Sequence, residues 1–282
     1  MNVQLKSNLI FLSILLLCTL VLLNMGLYIT HTLYGLQYTW GIFNCLLKIT
    51  IEFSQLHFLF HIGSFILIIY TFLRVCIRIF KQITLTLKWN RYFNENEHSL
   101  SSKHIKAKYS HSNSEICVIE HPGFIALTIG IFKPRIILST FVLTQFDEQE
   151  IEAIILHEQY HFKNYDPLKV FLVTLILDAI NYIPIIKILV HHYKICKELM
   201  ADQYAISKMN SSFGLSKALL KINRIKKNIP VSIGIGFTNS TMNFRIKQIL
   251  EPENLVYFPF DYIKPLIKSF IIFALMSLVF IG

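Results

Sequence analysis

Only 16% of the 282 residues are charged and mean hydropathy is +0.51, against about 25% charged residues in soluble domains, so part of the chain is expected outside water. Lys and Arg outnumber Asp and Glu by 27 to 17. The basic residues gather beside apolar runs, at Arg74, Arg78, Lys81, Lys88 and Arg91 and again at Lys264 and Lys268. Retention of positive charge on the cytoplasmic side produces that pattern, and no recognition motif for nucleic acid accompanies it. Five cysteines at wide spacing, without a CxxC pair, speak against a disulfide framework.

Residues 8–30 carry no charge and are long enough for a hydrocarbon core of about 30 Å. They read as a retained anchor, because a secretory apolar stretch is about 7–15 residues long and no small-x-small cleavage site follows. Residues 57–80 form a second span. Between the two, residues 36–52 fit either a third span or an interfacial helix, since Lys48 interrupts and Glu52 closes them. Both readings stay open, and the side of the N-terminus with them. His57 and His61 have helical i,i+4 spacing but no accompanying carboxylate, so they read as the polar end of the span.

Residues 93–115 are polar, rich in Ser and His and without apolar periodicity. They read as a linker, and as the place for a self-cleavage event. From Ile116 onward, the runs CVI, IALTIGIF and RIILS, separated by His121-Pro122-Gly123 and Lys133-Pro134, predict two or three strands. Asp147 and Glu150 then provide a capping box for a helix through EIEAIILHEQYHFKNY, which ends before Pro167. A last span is expected over 265–281.

The chemistry lies in His157-Glu158-Gln159-Tyr160-His161. Residues four apart share one face of a helix, so both imidazoles can hold one zinc ion. Glu158, one step round, is placed as general base for the attacking water. A catalytic zinc takes a third protein ligand and keeps one position open. Alone, Glu198 and Asp202 would read as exposed charges paired with Lys194 or Lys208. Beside HExxH they read as the third ligand from a second helix and as a carboxylate that orients a ligating histidine.

The stretches IALTIGIFKPRIILS, FDEQEIEAIILHEQYHFKNYDPL, Asn181-Tyr182-Ile183-Pro184 and KELMADQYAI together resemble the M56 peptidases, the BlaR1/MecR1-like antibiotic-sensor proteases, over roughly residues 116–210. The resemblance implies His157, His161 and Glu198 as ligands of one zinc ion per chain, with Glu158 as base. The implied fold is an α+β membrane protein. Transmembrane helices would carry an inserted gluzincin-type zincin domain with a small β-sheet and the HExxH helix. Expected boundaries are 1–81 for the N-terminal membrane region, 82–263 for a cytoplasmic-facing peptidase domain and 264–282 for the C-terminal helix. Antibiotic-sensing members carry a penicillin-binding domain after their last span, and none follows here, so any sensor is expected to be a separate protein.

Glu198 meets the histidines only on one side of the membrane. The apolar stretch 168–190 is about half of what two crossings need. A re-entrant or interfacial hairpin turning near Asn181 to Pro184 is therefore expected. The strand IALTIGIF is expected to hold the substrate as an added strand, and Arg245 and Tyr160 are the candidate donors to the oxyanion. The expected activity is that of a multi-pass zinc endopeptidase of the cell membrane. Its substrate would be a cytoplasmic or membrane-associated protein, with a transcriptional repressor and the chain itself among the candidates. Its partners would be the lipid bilayer and a separate sensor or a second copy, not nucleic acid. The alternatives are an HtpX-like quality-control protease and a non-catalytic signalling scaffold.

Overall fold

The structure, a computed structural model, describes residues 3–34, 54–109, 114–227, 235–251 and 262–277. The expectation for residues 36–52 lies outside them. Helix α1 (Val3–Tyr34) contains the first expected span and helix α2 (Ser54–Glu95) the second. Both are long and apolar enough to cross a membrane. α2 does not stop at the basic stretch. It continues through KQITLTLKWNRYFNE because no Gly or Pro interrupts that segment.

The polar segment 93–115 is not a linker through most of its length. Its first residues close α2, and Ser99–Lys108 form helix α3. The His98 side chain caps α3 by accepting from the Ser101 N–H, and Ile105 is buried. Around it the backbone is tied to strand β1 (Ile116–Ile119): His98 N–H donates to the Val118 carbonyl (2.8 Å) and Glu120 N–H to the Asn96 carbonyl (2.8 Å). Two buried positions were enough to fold a segment whose composition reads as loop.

β1, β2 (Ala126–Ile129) and β3 (Arg135–Ser139) make a mixed sheet in the order β1-β3-β2, with β1 parallel and β2 antiparallel to β3. Alternation along the strands supplies both faces. Ile116, Val118, Ile136 and Leu138 join one core cluster with Val142, Ile154 and Ala218. Cys117, Ile119 and Ile137 join another with Phe93. Gly130, at φ 101, turns the chain between β2 and β3, where a Cβ would lie 2.2 Å from the Lys133 carbonyl.

After helix α4 (Thr140–Gln145), the expected capping box opens α5 (Glu148–Lys163): Asp147 accepts from the Glu150 N–H and Glu150 from the Asp147 N–H. Helices α6 (Asp166–Ala179) and α7 (Pro184–Met209) are joined by a turn at residues 180–183, where the hairpin is expected to turn, and Pro184 opens α7. Helix α8 (Phe213–Lys227) packs against α5 and is followed by α9 (Ile235–Leu250) and α10 (Ile263–Ser277). Gly214 allows that approach, since a Cβ there would lie 2.7 Å from the Gln149 carbonyl. α10 covers most of the last expected span, and residues 278–281 lie outside those described.

Contacts along the chain divide it into two units. One comprises Met1–Asn8, Gln82–Leu172 and His192–Phe258; the other comprises Leu9–Lys81, Val173–His191 and Pro259–Gly282. The first holds the sheet, α5 and the HExxH residues. In the second, Arg74 and Arg78 pair with Asp178, Tyr70 donates to Asn181, and the Tyr28 hydroxyl lies 3.2 Å from His61 Nδ1. That contact suits the reading of His61 as a polar end.

Candidate metal centre

α5 presents His157 and His161 on one face, one turn apart, and α7 brings Glu198 to the same point. The two Nε2 atoms are 3.2 Å apart. Glu198 Oε2 lies 3.5 Å from His157 Nε2, and Oε1 lies 3.6 Å from His161 Nε2. Zinc bonds of about 2.0–2.1 Å in a tetrahedron place neighbouring ligand atoms about 3.3 Å apart, so this donor set fits the ion. Among the described residues these three form the group of His, Cys and acidic side chains able to share a metal ion.

Each histidine is held from behind. His157 Nδ1 lies 2.9 Å from Asp202 Oδ1, and His161 Nδ1 lies 2.9 Å from Asp166 Oδ2. Both contacts place the ring proton on Nδ1 and turn the Nε2 lone pair toward the shared point. Asp202 receives the Arg245 guanidinium in a fork, with Nε and Nη2 each 2.7 Å from its oxygens. Arg245 Nη1 also reaches Glu198 Oε2 at 3.2 Å. Asp166 pairs with Lys197 Nζ at 2.9 Å.

The sequence reading foresaw Asp202 but missed Asp166, Lys197 and Thr128. Asp166 carried a signal, five residues after His161 and directly before Pro167. The chain returns there through Tyr165, which adopts φ 52, a conformation that costs a bulky residue about 1–2 kcal/mol. That tight turn is what sets Asp166 beside His161.

The charges around the site do not balance once both histidines are neutral, as metal binding requires. Four carboxylates (Glu158, Asp166, Glu198 and Asp202) face two cations (Lys197 and Arg245), a difference that a divalent cation would offset. Burial opposes ionisation of Glu198, yet the hydrogen bond to His157 and the Arg245 charge hold its carboxyl well below the usual carboxylate range. At Asp202, too, Arg245 outweighs burial and lowers the carboxyl. Burial and Arg245 both oppose a protonated His157, but its contacts with Asp202 and Glu198 prevail, and the ring is pushed up to about 9 in the metal-free protein.

Glu158 is 8% exposed, and its Oε2 accepts from the Thr128 hydroxyl of β2 at 2.8 Å. It lines a groove of about 380 Å³ together with both histidines, Glu198 and Arg245. β2 forms one wall as the edge of the sheet, and apolar side chains of α8 with Met242 of α9 form another. Tyr160 does not serve this groove: its hydroxyl donates to Met200 Sδ at 3.4 Å. Arg245 borders the groove, but its donors are committed to Asp202 and Glu198.

The family model described as BlaR1 peptidase M56 matches residues 48–249. No curated protein matches the chain. Because that match takes in more than two thirds of the 282 residues, and the whole of this cluster with them, the chain belongs to the M56 family of peptidases.

Proposed function

We propose that this peptidase is a zinc-dependent endopeptidase of gluzincin type, with His157, His161 and Glu198 as ligands and Glu158 as general base. The observation that carries the reading is the convergence of both Nε2 lone pairs and the Glu198 carboxylate beside Glu158 in one groove. A zinc ion held there would supply an electrophile for the scissile carbonyl and lower the pKa of water to about 7.

Glu158 accepts the proton of the attacking water and returns it to the leaving amine. Thr128 fixes the orientation of that carboxylate. Arg245 acts by holding Asp202 and Glu198, which replaces the oxyanion role expected for it. An extended segment of a protein substrate adds to the free edge of β2, where backbone pairing supplies affinity without demanding a particular sequence.

The site faces the cytoplasm, a reading supported by Lys81, Lys88 and Arg91 beyond the second span. Its substrate is a cytoplasmic or membrane-associated protein, and the role is regulatory cleavage. The short apolar segment 168–190 argues against a quality-control peptidase of the kind with two full spans at that point. A signalling scaffold would need no buried base, and Glu158 is one. The test is proteolysis of an unfolded protein by the full chain in detergent or liposomes. Activity should depend on zinc and disappear with chelator, and a folded, zinc-loaded chain that cleaves nothing would leave the scaffold reading.

A further inference from the structure

We propose that Lys197 is a positioning residue for the metal centre, holding Asp166 so that Asp166 in turn aims His161. The proposal rests on the zinc reading above and goes beyond its ligand set and base. Lys197 and Asp166 are 4% and 2% exposed, so both charges have been taken out of water. Lys197 Nζ lies 2.9 Å from Asp166 Oδ1, while Asp166 Oδ2 faces His161 Nδ1 at 2.9 Å. Oδ2 thus meets the ring, and Oδ1 meets the charge of the ammonium as an ion pair without hydrogen-bond geometry. The ammonium also sits 5.5 Å from the centre of the Tyr193 ring, which is itself 1% exposed.

A buried ion pair is a poor way to stabilise a fold, because desolvation consumes much of its attraction and apolar residues of similar volume serve as well. Its placement suggests another use. His157 has the same arrangement on its far side, where Arg245 clamps Asp202. Each ligand histidine is therefore backed by a carboxylate and each carboxylate by a cation. α7 contributes three of these groups, with Lys197 beside the ligand Glu198 and Asp202 one turn later. Without Lys197, Asp166 would keep one contact, turn about its own side-chain bond and leave the His161 ring free to tilt. Groups that orient metal-bound histidines typically set about 10–100-fold in metal affinity.

The test is made on the full chain in detergent, using wild type, Lys197→Met, Lys197→Arg and the double variant Lys197→Met/Asp166→Asn. Zinc affinity is read by chelator competition, and ligand geometry by the visible spectrum of the cobalt-substituted protein. Lys197→Met is expected to lose about 10–100-fold in affinity and to shift the cobalt bands. Lys197→Arg should recover most of both. If Lys197→Met aggregates, the double variant carries the test, because it removes both charges, and the same loss and shift are expected of it. A folded Lys197→Met or double variant with wild-type affinity and an unchanged spectrum overturns the proposal and leaves the zinc reading standing. A folded wild type that binds neither metal overturns the zinc reading itself, and the role of Lys197 with it.

Discussion

Both units bury apolar side chains, but they differ in what they expose and in whether they bury charge. In the unit built on α1 and α2, Leu12, Leu16 and Phe72 are 60%, 61% and 70% exposed, while Ile14, Val173 and Ile186 are buried and no charged residue is among the buried ones described. In the unit that holds the sheet, Ile136, Ile137 and Leu138 are fully buried, and Asp166, Lys197 and Asp202 beside the two histidines are 2%, 4% and 2% exposed. Exposed leucine on a long helix is tolerable only where the surroundings are apolar. Buried charge is tolerable only where it is paired. The difference suits the two candidate membrane helices of the α1–α2 unit and the charge-compensated site of the unit that holds the sheet.

The strongest way to sharpen the comparison is at the site. Glu158→Gln keeps the shape and the Thr128 contact but removes the base. Peptidase activity should fall about a hundredfold to ten-thousandfold, with zinc content unchanged. An equal loss of zinc would instead mark Glu158 as structural. The matching change in the other unit is Leu16→Arg. In lipid it should cost about 2.5–3.5 kcal/mol, seen as reduced insertion of α1 in glycosylation mapping. In water, the same surface change would be worth about 0.5 kcal/mol or less, and full insertion would break the comparison.

Much of this was legible in the sequence. The short β-branched runs ICVI and RIILS between turn residues, the Asp147 and Glu150 capping box and the HExxH spacing each have a local cause, so each could be read locally. Glu198 and Asp202 needed one further step, a second helix returning to the first. Asp166 was missed although its spacing after His161 was a signal, because the left-handed turn at Tyr165 that brings it back leaves no mark in composition. Lys197 was missed because only the fold places it beside Asp166. Segment 93–115 failed for a related reason. Ser102 and Ile105 are buried by tertiary contact with β1 and the adjoining core, and helical periodicity cannot be recognised from two positions.

A smaller effect concerns pH. Metal binding requires a neutral His157, and without metal its proton is held up to about 9. Zinc affinity should therefore rise about tenfold per pH unit from pH 7 toward 9, as measured by competition titration. The sign for folding is the reverse. The raised value stabilises the metal-free chain below about 6.5, and that contribution is lost as pH climbs through about 9. The smallest effect is expected in the apolar unit, where Asp178 is 27% exposed and pairs with Arg74 and Arg78. Asp178→Ala should lower stability in detergent by about 1–2 kcal/mol, after discounting for solvent screening. Arg74→Met/Arg78→Met/Asp178→Leu should restore it.

The central claim is that α5 and α7 build one zinc site, and zinc content per chain tests it most directly. Detergent-purified wild type should hold close to one zinc, and Glu198→Ala should lose most of it while keeping its helical circular dichroism. A folded wild type without zinc, or a Glu198→Ala variant that retains the full complement, would contradict the account.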